Sequence, residues 1–125
     1  MNTLLWLDDV RNPLKDNWLA FSPLQGAYDV IWVKSYKEFV HWIENNGLPT
    51  GICFDHDLAD IKPIEGSEIV SATDFTIEKT GYDCAKWLVE YCMDNNKKLP
   101  LYNIQSANPV GKENIDKLLK NFNKL

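Results

Sequence analysis

The chain has 125 residues, a formal charge of −5, 45% hydrophobic side chains and 25% charged ones. That length and balance suit a single folded domain, residues 1–125, with its own core, and exclude general disorder. The acidic balance and the lack of a Lys/Arg-rich run argue against a duplex DNA partner. A small anionic ligand stays open if a metal ion supplies positive charge locally.

Three cysteines, Cys53, Cys84 and Cys92, form no C-x-x-C pair, and their odd number suits no disulfide framework. They read as reduced, structural residues of a cytoplasmic protein. The sequence shows neither a signal-peptide pattern nor an apolar run of about 18 residues, so no membrane association is expected.

Thr3 to Leu7 is a continuous apolar run, the pattern of a strand buried on both faces. The next stretch, residues 10 to 28, is broken by Pro13, Pro23 and Gly26 and predicts one short helix at best, around Trp18 to Phe21. Asp29 to Val33 repeats the strand pattern. Ser35 then offers an N-cap to a helix carrying Tyr36, Phe39, Val40 and Ile43 at helical spacing and ending near Asn46-Gly47. His41 falls inside this helix and reads as a packing or surface residue.

Gly51 to Phe54 predicts a third strand. Residues 58 to 79 show no clear period, and so long an irregular segment in a small domain, here with the aromatic Phe75, suggests a functional flap or a mobile insertion. Thr80, with Asp83 three residues on, resembles a capping box ahead of the stripe Ala85, Leu88, Val89 and Cys92. Leu101 to Ile104 is a weaker fourth strand. Asn108-Pro109 opens a last helix whose stripe is Ile115, Leu118, Leu119 and Phe122. Strands alternating with helices imply a parallel sheet with right-handed crossovers, whose ligands bind beyond the carboxyl ends of the strands.

Those ends carry unusual chemistry. The first strand runs into Asp8-Asp9, the third into Asp55-His56-Asp57, and the fourth into Gln105-Ser106. In a parallel sheet these ends share one edge, so four carboxylates, an imidazole and a hydroxyl converge there. Uncompensated, such a cluster is costly, and its oxygen donors suit a hard divalent cation. His56, between two acids, is placed to move a proton or bind a metal. Ser106, Asn108 and the N-terminus of the last helix, with Lys112, offer donors to an anion, and Arg11 can cover a phosphate or pair with a carboxylate. No G-x-x-x-x-G-K-[ST], G-x-G-x-x-G or H-E-x-x-H motif occurs.

Asp8, Asp9, Asp55 and Ser106 resemble the acid pair, central aspartate and hydroxyl of response-regulator receiver domains. LWLDDVRNP, DHDL, TGYDCAKWL and SANPVGKEN together are more similar to a receiver-related family, the cyclic-phosphate processing receiver domains. The resemblance implies a three-layer α/β/α, flavodoxin-like open parallel sheet of about four strands in order 2-1-3-4, without the receiver's usual fifth strand. It further implies magnesium, or manganese, held by Asp8, Asp9 and Asp55, and metal-dependent work on cyclic phosphates.

On that reading the ligand is a cyclic nucleotide or a cyclic-phosphate RNA end. His56, Asp55 and Asp57 form the catalytic set, and Ser106, Arg11, Lys112 and Asn108 contact the phosphate. Gln105 departs from the histidine that precedes the serine in relatives, which argues against chemistry with two imidazoles. Two alternatives stay open: a phospho-accepting receiver using Asp55, and a non-catalytic module that binds a cyclic phosphate or a protein.

Overall fold

The apolar run at the start of the chain forms strand β1 (Thr3–Leu7), whose residues Leu4 to Leu7 are fully buried. A computed structural model describes residues 2–55, 80–105 and 109–123. After β1 come a 3-10 helix (Trp18–Phe21), β2 (Asp29–Val33), α1 (Tyr36–Asn46), β3 (Gly51–Phe54), α2 (Gly81–Asp94), β4 (Leu101–Ile104) and α3 (Pro109–Asn123). The four strands form one parallel sheet in the order β2-β1-β3-β4. The expected receiver-like α/β arrangement is the one observed.

Local chemistry explains the boundaries. The Ser35 hydroxyl accepts the Glu38 N–H at 3.1 Å, and Gly47, at φ 83°, ends α1 in a conformation that disfavours a side chain. Thr80 and Asp83 form a reciprocal capping box at the start of α2, with the Thr80 N–H donating to Asp83 Oδ2 at 2.8 Å.

Alternation along the strands divides the core in two. Leu5, Leu7, Ile52, Phe54 and Ile104 pack against Phe39 and Ile43 of α1, Leu88 and Cys92 of α2, and Ile115 and Leu119 of α3. All three α-helices therefore share this face. Leu4, Trp6 and Cys53 point the other way, into a smaller core completed by Leu24, Trp18, Leu19, Tyr28 and Trp32. Among the described residues, the crossover from β1 to β2 provides this second cover, with its single 3-10 helix at the predicted place. Moving from β1 to β2 reverses the direction of travel across the sheet, so a right-handed connection must cross on the opposite face.

The crossover lies close on the sheet. A Cβ on Gly51 would sit 2.9 Å from Leu24 Cγ and 3.2 Å from Pro23 Cγ. The Phe21 carbonyl accepts from Asn103 Nδ2 at 2.7 Å and from the Cys53 thiol at 3.6 Å, tying the crossover to β3 and β4. All three cysteines are buried and unbridged, and burial pushes the Cys53 thiol up to about 12. The flap expected at residues 58–79 lies outside the described residues. Among the described residues, no helix is long and apolar enough to cross a membrane.

Candidate functional site

Leu7, Phe54 and Ile104 are aligned across β1, β3 and β4. The next residues, Asp8, Asp55 and Gln105, extend that alignment. Asp8 N–H donates to the Val33 carbonyl at 3.0 Å, Asp55 N–H to Leu7 at 3.0 Å, and Gln105 N–H to Phe54 at 2.9 Å. Each side chain thus leaves a strand held by its own sheet hydrogen bond, with neighbouring strands about 4.8 Å apart. Asp8 is fully buried, and Asp55 and Gln105 are each 5% exposed.

The Asp8 carboxylate folds the chain that follows it. Its Oδ1 accepts the N–H groups of Val10 at 3.0 Å and Arg11 at 2.9 Å, a side-chain turn of the kind aspartate makes well. Three further donors fix the backbone from outside. Trp32 Nε1 donates to the Asp8 carbonyl at 2.7 Å, Trp6 Nε1 to the Arg11 carbonyl at 3.0 Å, and Gln105 Nε2 to the Leu7 carbonyl at 3.0 Å. The acid-rich turn is thereby pinned by two indoles and a carboxamide.

One oxygen from each of Asp8, Asp9 and Asp55 lies within 4.8 Å of the others. Arg11 Nη1 reaches the same place: 3.4 Å from Asp8 Oδ2, 3.8 Å from Asp55 Oδ1, and donating to the Gln105 carbonyl at 2.9 Å. Its guanidinium carbon lies 4.9 Å from the centre of the Trp18 ring, a cation–π seat. A single side chain therefore touches the ends of three strands.

The donor set fits a hard divalent cation. It consists of three carboxylates, and oxygens on opposite sides of magnesium or calcium lie about 4.2 or 4.8 Å apart. Gln105 Oε1 is buried and meets no hydrogen-bond partner among the described residues, so a polar acceptor also stands at this edge.

The sequence-predicted residues divide by place. Asp8, Asp9, Asp55 and Arg11 come together. Lys112 lies in the first turn of α3 and lines a groove of about 560 Å³ between that helix and β4, with Tyr102, Glu113 and Asp116. His56, Asp57, Ser106 and Asn108 lie outside the described residues. The sequence reading missed the supporting roles of Trp6, Trp32, Gln105 and Asn103. Five tryptophans in 125 residues were the one available signal, and that count does not say which indole meets which carbonyl.

A family model described as the cyclic-phosphate processing receiver domain matches residues 3–121, nearly the whole chain. The chain belongs to this family. No curated protein and no solved structure matches it significantly. Within a cyclic-phosphate processing receiver domain, the match takes in every strand and the whole acid-rich edge. It also takes in the end of β4, where Gln105 stands.

Proposed function

We propose that this domain binds a divalent cation, magnesium or manganese, at Asp8, Asp9 and Asp55, and uses it to bind and hydrolyse a cyclic phosphate. The observation that carries this reading is the approach of the three acids within 4.8 Å, from the ends of two different strands, in a chain of the cyclic-phosphate processing family. A cation there supplies Lewis-acid stabilisation of charge on phosphate oxygens.

The chain's own groups would supply the rest. Arg11 is a planar donor that can bind two phosphate oxygens at once, and its seat on Trp18 holds it beside the acids. Ser106, Asn108 and Lys112 are the remaining proposed phosphate donors. His56 is the proposed proton carrier, with Asp57 supporting it. Hydrolysis adds water across one P–O bond of the ring, so a proton must reach the departing alkoxide as that bond breaks. An imidazole titrating near neutral pH suits that transfer.

The test is turnover of a panel of 2′,3′- and 3′,5′-cyclic nucleotides and cyclic-phosphate RNA ends with magnesium or manganese. Asp9→Asn and His56→Ala should each lower the rate at least about tenfold. Unchanged rates in both variants would sink the proposal. Ligand binding without turnover in the wild-type protein would favour a binding module. A phosphate adduct after treatment with a small phosphodonor, lost in Asp55→Ala, would favour a phospho-accepting receiver.

A further inference from the structure

The side chain of Arg11 occupies a telling position. Its Nη1 touches carboxylates from two strands and a carbonyl from a third, while its main chain is held independently by Asp8 Oδ1 and by the Trp6 indole. The guanidinium can therefore swing while the turn that carries Asp8 and Asp9 stays in place. A guanidinium so close to two acids neutralises part of the charge that would attract a divalent ion, and its own charge repels one.

We propose that Arg11 and the divalent cation are alternative partners of Asp8 and Asp55. In the ion-free protein Arg11 serves as the resident counter-charge. When the ion binds, Arg11 leaves the carboxylates and becomes available to an anionic ligand. This rests on the metal reading above and deepens it in one respect: it sets an order in which the cation enters first and the phosphate second. Trp18 is the positioning residue, since its ring supports the guanidinium in the acid-bound arrangement.

The test uses calorimetric titration of the chelator-treated full chain with magnesium and manganese chloride at fixed ionic strength. Arg11→Gln should bind either ion about tenfold more tightly than wild type, because a repelling charge has been removed. Arg11→Lys should stay near the wild-type value. A second readout is taken on the wild-type chain. The Arg11 side-chain Nε–H signal in a proton–nitrogen spectrum, assigned with Arg11→Lys, should sit at a ring-shifted position without the ion and move toward that of an ordinary exposed arginine at saturation.

Equal or weaker ion binding by Arg11→Gln overturns the inference. So does an Arg11 signal that stays in place while the ion binds, which decides the matter even if Arg11→Gln fails to fold. If neither ion binds the wild-type chain or any variant, this inference and the metal reading fall together. If the ions bind and Arg11 does not respond, only this inference fails.

Discussion

The Trp32 indole donates a 2.7 Å hydrogen bond to the main-chain carbonyl of Asp8, across 24 positions of sequence. This bond joins the end of β1 to β2 on the side of the smaller core, where Asp8 itself is fully buried. Trp32→Phe keeps an aromatic ring but deprives the carbonyl of its donor. A loss of about 1–3 kcal/mol is expected in urea denaturation. Cation affinity should fall in the same variant, because the turn carrying Asp8 and Asp9 loses one of its pins. Stability equal to wild type would show that another donor takes over.

On the metal reading proposed above, Asp8 has two separable duties, and two substitutions tell them apart. Asp8→Asn retains an oxygen able to accept the Val10 and Arg11 N–H groups, so the turn should persist, while calorimetric cation binding should drop at least about tenfold. Asp8→Ala removes the acceptor as well and leaves the Val10 and Arg11 N–H groups without it. It should cost about 2–4 kcal/mol in denaturation experiments, clearly more than the asparagine variant.

Gly51 marks the close approach of the crossover to β3. Gly51→Val would push against Leu24 and Pro23, whose side-chain atoms stand 2.9 and 3.2 Å from an added Cβ. A destabilisation of about 1–3 kcal/mol is expected, measured by thermal or urea unfolding. Shortening the obstruction in Gly51→Val/Leu24→Ala should recover less than the full loss, since Leu24 belongs to the smaller core.

Asn103 closes part of the outer edge of β4. Its Oδ1 accepts the Ile104 N–H at 2.8 Å, and its Nδ2 reaches the Phe21 carbonyl. Asn103→Val exposes an edge donor and loosens the crossover together. Sedimentation should then show more self-association than in wild type, as expected of an unguarded edge strand.

The Cys53 thiol gives a pH signature. Unfolded, it ionises near its ordinary value of 9.0; in the native protein burial raises that to about 12. Below pH 9 both states hold the proton and Cys53 contributes no pH dependence. Between pH 9 and 12 the unfolded chain sheds the proton while the native state keeps it, so stability falls as pH rises, by up to about 1.4 kcal/mol per unit. Cys53→Ala should flatten that part of the stability–pH curve, and native Cys53 should resist thiol reagents at pH 8.

The elements were legible because their causes are local. Four apolar runs, the Ser35 and Thr80 caps, Gly47 and the broken stretch around Trp18 to Phe21 each act within a few residues, and each element stands where its residues predict. The convergence of Asp8, Asp9 and Asp55 was legible too, since parallel strands bring their carboxyl ends to one edge whatever the side chains do. The supports of that edge were not. Trp6 reaches Arg11 around a turn, Trp32 reaches Asp8 from the next strand, and Gln105 reaches Leu7 across 98 positions. Such contacts depend on the exact register and the rotamer of a large ring, which no spacing rule encodes. Gln105 shows the point most clearly. In the sequence it reads as a missing histidine; in the fold its carboxamide nitrogen fastens β4 to the end of β1.

The crossover after β1 carries Asp9, Arg11, Trp18 and Leu24 on one uninterrupted piece of chain. The same piece is thus the roof of the smaller core and the bearer of half the charged edge. Local opening that lifts Leu24 and Trp18 from the sheet must also dismantle the arrangement around Arg11. Amide exchange along residues 10 to 24 and occupancy of the acid edge are therefore linked quantities, and any ligand that settles on that edge will slow exchange far from its own contacts.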